Sequence, residues 1–304
     1  MVRSAYAIVL SIALMATASV ANAQEIVELP LHAQPGDQLL VDYTIERTQN
    51  DEQDTGRVSA SVVVADVYDD SFVATWTTTS VSVDGFQIDA TSPEAADYFL
   101  GVPIRYLAGV DGAPLRIVDK DAFIETLFAS SVWAAKSQAS VASAAEFFNS
   151  LSEEALAKVF LKVPTYMSLC QGTTLPLGER SEFSVDVPSP LGGKPAAAVV
   201  SYQLRAVDDR VGSAQVAYEM KLDPDAAKRL TIAMLKQLGV DDVPADDRLD
   251  ELLIQRNDAA DCSVDTGSGW VTAMTYQNEI SVADQYRAET YSATVDYRRA
   301  GERN

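Results

Sequence analysis

The chain has 304 residues, of which 44 are acidic and 23 are basic, and its formal net charge at pH 7 is −21. An excess of negative charge this large repels nucleic acid and the anionic head groups of a membrane, so neither is an expected partner. The composition, 47% hydrophobic and 22% charged, is that of a folded globular protein.

Residues 1–23 have the pattern of a secretory signal peptide. One cation, Arg3, precedes an apolar run from Ala5 to Val20, and the small-residue cleavage signal Ala21-Asn22-Ala23 follows. The apolar run is shorter than the roughly 20 residues that cross a bilayer as a helix. We therefore expect a periplasmic or secreted protein with no membrane span after cleavage.

The stretch Leu29-Pro30-Leu31 is echoed at Leu175-Pro176-Leu177, and strand patterns follow each copy. The echo predicts two related β-rich units, 24–119 and 175–304, the second with a helical insertion. A helical connector is predicted between them at 120–174.

The first unit is predicted to contain three strands, a short helix and a hairpin, because two-residue alternation and turn residues succeed one another. The predicted segments are, in order, a strand Leu39 to Thr48, a polar loop Asn50 to Gly56, strands Arg57 to Val67 and Phe72 to Val83, a helix starting at Ser92-Pro93, and a hairpin turning at Asp111-Gly112.

In the connector the period changes to three and four residues, which predicts amphipathic helices capped in one case by Ser152. The stretch Ala134 to Ala145 is compatible with a helix or a looser link. The second unit is predicted as strands and helices in the order Glu179 to Val187, Ala197 to Val207, Val211 to Leu222, a helix from Asp223, a helix Asp241 to Gln255, a hairpin turning at Thr266 to Gly269, and a last strand Tyr286 to Tyr297 at an edge or closing the sheet.

These elements predict an α+β fold. Antiparallel sheet from the two related units forms a curved sheet or half-barrel, and the helical segment packs on one face. In architecture alone this resembles the half-barrels of periplasmic lipoprotein carriers, without a residue-level match to that family.

The chain has two cysteines, Cys170 and Cys262. In an oxidising compartment a lone pair predicts one disulfide. Two unpaired buried thiols remain the alternative. A metal site is not expected from so few soft ligands.

Two Asp-Thr-Gly triplets, at Asp54 and Asp265, are the best available pattern for catalysis, since aspartic peptidases place a catalytic carboxylate in such a turn. The triplets occupy different places in the two units, because Asp265 corresponds to Asp111 rather than to Asp54. Asp-Thr-Gly is also ordinary turn chemistry. A hydrolase of aspartic-peptidase type using Asp265 is therefore an alternative, and a non-enzymatic protein is the leading interpretation.

Aromatic residues recur on the predicted strands and fill either an ordinary core or the wall of an apolar pocket. They are Tyr43, Phe72, Trp76, Tyr202, Tyr218, Trp270, Tyr276 and Tyr291. The leading hypothesis is an envelope protein that binds an apolar or lipid-like ligand between sheet and helices. A structural or protein-interaction module, with another envelope protein as partner, is a further alternative, and no motif predicts a cofactor.

Overall fold

The computed structural model describes residues 25–50, 52–134, 136–187, 195–229, 254–282 and 285–301. The predicted signal peptide and most of the predicted helix Asp241 to Gln255 lie outside these ranges. Within them the fold is α+β, as predicted, with a large antiparallel sheet and helices packed on one face.

Twelve of the described strands form one antiparallel sheet. They are β2 Gln38–Gln49, β3 Glu52–Val67, β4 Ser71–Val83, β5 Phe86–Gln87, β6 Pro103–Gly109, β7 Pro114–Ile117, β9 Arg180–Val187, β10 Ala196–Asp208, β11 Ser213–Leu222, β12 Ile254–Asp265, β13 Val271–Val282 and β14 Gln285–Arg298. Across the sheet the order is β7-β6-β4-β3-β2-β14-β13-β12-β11-β10-β9, with β5 paired to β4. The sheet is open and uncurled, and β7 and β9 are its edges.

The last described strand lies in the middle of the sheet. β14 pairs with β13 on one side and β2 on the other, and Tyr291 faces Tyr276 and Ile45. The prediction of an edge or closing strand therefore differs from the structure. The alternation of apolar and polar residues in β14 indicates which face of the strand is buried, but it does not indicate which neighbouring strands pair with it. Strands of both predicted units belong to one sheet, and the division into two units stays a prediction.

The two copies of the Leu-Pro-Leu echo lie side by side. Strand β1, Ile26–Leu29, pairs antiparallel with β8, Thr173–Pro176, and forms a separate two-stranded sheet. Leu29 and Leu175 are both buried. This pair joins the start of the described chain to the end of the helical segment.

The predicted loop at Asn50 to Gly56 is mostly strand. β3 begins at Glu52, and the reversal is made near Asn50, whose φ is +53°. Asn tolerates this left-handed conformation better than most residues. The polar residues read as a loop are in fact an extended pairing, in which Asp54 lies opposite Arg47.

Five described helices lie in the segment between β7 and β8. They are α1 Lys120–Ala129, α2 Ser131–Ala134, α3 Gln138–Ser150, α4 Glu153–Phe160 and α5 Lys162–Ser168. Ser152 caps α4 as predicted, since its Oγ accepts from Ala155 N at 3.2 Å. The short helix predicted after Ser92 is a 3-10 helix, Pro93–Tyr98.

In the second half a helix begins after Asp223, as predicted, and residues 224–229 are helical. The Oδ1 of Asp223 accepts from Ala226 N at 2.8 Å and so caps the first turn. The predicted helix ending at Gln255 is wrong at its end, because Ile254 and Gln255 belong to β12. None of the described helices is long and apolar enough to cross a membrane.

Candidate ligand site between sheet and helices

One face of the sheet is an apolar floor beneath the helices. On β2, Leu39, Val41 and Ile45 point to this face and are at most 6% exposed. Val58 and Val62 of the neighbouring β3 share that face and are similarly buried. The alternate residues of both strands are mostly polar and face the other way.

A cavity of about 200 Å³ lies between this floor and helices α4 and α5. Trp76 of β4, only 3% exposed, forms part of its floor. Phe99 and Phe160 line it from the 3-10 helix side and from α4, and their ring centroids are 4.5 Å apart. Most of the lining residues are apolar or aromatic, and Arg47, Thr78, Asp97 and Lys162 add polar groups.

The cavity adjoins an exposed groove of about 610 Å³. Arg47, Asp97 and Tyr98 line both spaces. Val83 and Phe86 give the groove apolar walls, and Phe86 is 77% exposed. The cavity therefore lies next to a partly apolar groove that is open to solvent.

Beside the cavity, three tyrosines pack together between sheet and helices. Tyr276 of β13 and Tyr291 of β14 lie opposite each other. Tyr166 of α5 stacks flat on Tyr276, with ring centroids 3.7 Å apart and an interplanar angle of 11°. Burial raises the pKa of all three phenols, that of Tyr291 to about 12. They are neutral at physiological pH.

Next to the tyrosines, a row of polar residues crosses five strands. We call it the polar row, and it consists of Asp258, Asn278, Glu289, Arg47 and Asp54. Each is the direct cross-strand partner of the next. Asp258 and Glu289 are only 3% and 7% exposed. The apolar floor thus ends in a partly buried row of charges.

The two buried carboxylates of the polar row have their own cations. Asp258 forms an ion pair with Arg256 at 3.0 Å and accepts a hydrogen bond from Asn278. Glu289 accepts from Arg287 at 2.5 Å and from the Tyr291 hydroxyl at 3.2 Å. Burial alone would raise the pKa of Glu289, but the hydrogen bond from Arg287 and the nearby cations lower it.

Arg47 and Lys162 are less fully paired. The nearest carboxylate oxygens to Arg47, on Glu289 and Asp54, are 3.7 and 3.8 Å away, beyond hydrogen-bonding distance. Lys162 forms no ion pair with any residue that the structure describes. The one acid among the described residues that line the cavity, Asp97, is paired with Lys136 at 3.0 Å.

The opposite, polar face of the sheet carries a groove of about 780 Å³. Serine and threonine side chains such as Ser59 and Ser82 line it together with apolar ones such as Ala273 and Met274, and Arg57 is also part of the lining.

The structure does not bring Asp54 and Asp265 together. Asp54 lies opposite Arg47 of β2. Followed across the sheet, Ser263, which is two residues before Asp265, is in register with Asp42 of β2. Asp42 and Arg47 are five residues apart on that strand. At about 3.3 Å per residue the two levels are roughly 17 Å apart along the strands.

Asp265 has a local structural partner instead. Its Oδ1 accepts from the backbone N and the Oγ of Ser268, both at 2.7 Å, and so holds the turn between β12 and β13. Ser268 in turn accepts a hydrogen bond from His32 N at its backbone oxygen, at 2.8 Å.

The sulfur atoms of Cys170 and Cys262 are 2.00 Å apart, at disulfide distance. Cys170 follows α5 and Cys262 lies on β12, and both are almost fully buried. The pair places the end of α5 against the sheet beneath it. Helix α5 carries Val163 and Tyr166, so the predicted disulfide would also anchor the roof of the site.

The sequence interpretation found the aromatic floor but missed the charged residues beside it. A signal was available, because Arg256-Asn257-Asp258 and Arg287-Ala288-Glu289 each put opposite charges two residues apart. Residues two apart on a strand share a face. Arg47 and Lys162 carry no comparable signal, since only the strand register and the placement of α5 bring them to one cavity.

No protein-family model matches the chain, and no curated protein matches it. Among solved structures it is similar to one described as lipid-protein interactions in lipovitellin, with 12% identity and a TM-score of 0.46 over 89% of this chain and 26% of that one. It is also similar to a putative outer membrane lipoprotein-sorting protein domain from Vibrio parahaemolyticus, with 6% identity and a TM-score of 0.22 over 90% of each chain. Both scores are low, so the function has to follow from the chain's own residues.

Proposed function

We propose that this is a secreted, non-enzymatic protein of the cell envelope, which carries an apolar or lipid-like chain between its sheet and its helices. The observation that carries the proposal is that the cavity adjoins the exposed groove, with Arg47, Asp97 and Tyr98 lining both. An apolar chain enters from solvent without unfolding of the sheet.

The dimensions and the lining support a slender ligand. The groove lies within the roughly 300–1,000 Å³ of small-molecule pockets, whereas the cavity is smaller. A single chain therefore fits the cavity better than a bulky ring system. The apolar surface that leaves water on binding is mainly that of the ligand, which contributes roughly 25 cal/mol per Å².

The positions of the carboxylates support a carrier over a peptidase. Two carboxylates that activate water must share a proton at close range. Asp54 faces Arg47, and Asp265 holds a turn at a distant level of the sheet. Export to the periplasm is proposed from the predicted signal peptide and is supported by the cysteine pair at disulfide distance.

Native mass spectrometry of the protein, purified from the periplasm without detergent, tests the proposal. We expect an added mass that disappears on denaturation and that belongs to an amphiphile or another apolar molecule. A single unliganded mass, together with no uptake of dodecanol or laurate by the purified protein, would instead favour a structural or protein-interaction module.

A further inference from the structure

We infer that the carried molecule is an amphiphile with an anionic head group, a carboxylate or a phosphate, and that Arg47 and Lys162 bind this head group. The inference rests on the proposed function, because it assigns the polar end of the ligand whose apolar end occupies the cavity.

Arg47 is placed for this role at the junction of the cavity and the groove, since it lines both. Its side chain is 38% exposed, so a ligand reaches it without displacing protein. Glu289 and Asp54 orient it from 3.7 and 3.8 Å but leave its donors without a carboxylate at hydrogen-bonding distance. A guanidinium presents planar paired donors that match a carboxylate or phosphate.

Lys162 supplies a second cation from the opposite side. It is the first residue of α5 and lines the cavity, whereas Arg47 belongs to the sheet. The positive charge of Lys162 acts on the polar row, because it helps to lower the pKa of Glu289. A head group between sheet and helix therefore meets a cation on each side.

Most of the acids near the site have a cation of their own. Asp258 and Glu289 are paired with Arg256 and Arg287, and Asp97 is paired with Lys136. Asp54 lies 3.8 Å from Arg47, and Asp84 and Glu94 line the groove outside the cavity. The chain's large negative charge opposes an anionic ligand at long range, but salt screens exposed charges beyond about 8 Å at physiological ionic strength.

The geometry also orients the ligand. Beyond Arg47 and Lys162 most of the residues in the cavity wall are apolar or aromatic, such as Trp76, Ile104 and Phe160. The chain of the amphiphile lies in this space, and the head group stays at the mouth, where one side of it keeps its water. A ligand with the same apolar chain but no charged head group makes only the apolar contacts.

Isothermal titration with four probes of equal chain length tests the inference: laurate, dodecyl phosphate, dodecanol and dodecyltrimethylammonium, with dodecanol kept below its solubility limit and the others below their micelle concentrations. We expect at least one of the two anions to bind about tenfold tighter than dodecanol, which is the scale of one charge-assisted contact. Tighter binding of laurate would indicate a fatty acid as the natural ligand, and tighter binding of dodecyl phosphate would indicate a phosphate-bearing lipid. Added salt should weaken the anions and leave dodecanol unchanged.

Arg47→Gln and Lys162→Gln should each reduce the affinity for the preferred anion about tenfold without changing that for dodecanol. Lys158→Gln is the matched control, because Lys158 is an exposed cation on α4 that does not line the cavity. Circular dichroism checks folding, and the exposed Lys162 keeps the test valid if Arg47→Gln does not fold.

Three outcomes count against the inference and separate it from the proposed function. Equal binding of dodecanol and both anions overturns the head-group site but leaves an apolar carrier. Tighter binding of dodecyltrimethylammonium does the same and reverses the sign of the preferred charge. If none of the four probes binds, the carrier proposal fails, and the head-group site fails with it.

Discussion

The ring of Tyr166 lies on that of Tyr276 at a centroid distance of 3.7 Å, so helix α5 touches the sheet through a stacked aromatic pair. The ring of Tyr291 contacts the ring of Tyr166 edge-on, at a centroid distance of 5.1 Å. Five described strands, β8 to β12, separate α5 from β13 in sequence, yet the folded sheet places β13 and β14 directly below the helix. The stack at Tyr166 and the cysteine pair at Cys170, just after the helix, therefore hold this segment against the sheet at two points four residues apart.

Buried tyrosines predict a loss of stability in alkali. An unfolded tyrosine ionises near pH 10, whereas burial raises the pKa of Tyr291 to about 12. The unfolded state therefore loses its proton first, so stability is complete below about pH 10 and falls as the pH rises towards 12. We expect about 2 kcal/mol of loss from this residue over that window, measured by urea unfolding at increasing pH.

Tyr166→Phe keeps the stack but removes one buried phenol, so it should flatten the alkaline decline. Tyr68→Phe is the control, because Tyr68 is 56% exposed. An alkaline decline of unchanged slope in Tyr166→Phe would contradict the explanation.

The cysteine pair predicts a redox-sensitive stability. Cys170 and Cys262 are 92 residues apart in sequence, and closing a loop of this size stabilises a fold by roughly 4 to 5 kcal/mol on the chain-entropy model. Reductant should lower the free energy of unfolding by about that amount. The double variant Cys170→Ala/Cys262→Ala should be destabilised to a similar extent and should no longer respond to reductant. A wild-type protein that is indifferent to reductant would show that the pair does not crosslink the chain.

Filling the mouth of the cavity predicts a loss of binding without a loss of fold. Val159 lines the cavity from α4 and is 39% exposed, so Val159→Trp extends an indole over the opening. We expect at least tenfold weaker binding of the apolar probes by isothermal titration. Val199→Trp, at a 47% exposed position on β10, is the size-matched control and should bind normally. Equal binding by both variants would place the ligand elsewhere.

Because Asp265 holds a turn, we expect its substitution to lower the stability of the fold rather than to remove a catalytic activity. Asp265→Ala removes two hydrogen bonds to Ser268 and should lower the free energy of unfolding by about 1 to 2 kcal/mol. Asp54→Ala removes one long, exposed contact with Arg47 and should cost less than about 0.5 kcal/mol. Urea unfolding of the two variants measures both. A larger effect from Asp54→Ala would contradict these assignments.

The same turn contains a glycine that should not tolerate a side chain. Gly269 has a φ of +75°, and a Cβ there would lie 2.1 Å from the backbone oxygen of Pro30. Gly269→Ala should therefore displace the segment around Pro30 and unfold at markedly lower urea concentration than the wild type. Gly101→Ala is a useful comparison, because its φ is also positive but no atom lies within 4 Å.

Local signals predicted the local structure well. The Asp111-Gly112 hairpin, the Ser152 cap and the strand alternation of β2 depend on neighbouring residues, and the structure has all three. The segment around Asp54 was misread because its residues are polar on both faces. Such residues extend as readily as they turn, and only the register with Arg47 decides between the two.

The candidate site was predictable only in part. Aromatic and apolar residues on strands indicated a covered floor, and Trp76 and Tyr291 are indeed buried on it. The pairing of β2 with β14 is a contact between distant parts of the chain, and it is what places Arg47 opposite Glu289. No local pattern encodes that register, so the polar row emerges only from the assembled sheet.

The central position of β14 also bears on how the protein reaches its native state. β2 is among the first strands made and β14 is the last described, so β2 and β13 each have one unsatisfied edge until residues 285–298 have been synthesised. Contacts this distant in sequence form slowly, and exposed strand edges pair readily with other chains. A growing chain thus holds two half-sheets that attract foreign strands, and protection by a chaperone matters most in the interval before the central strand arrives.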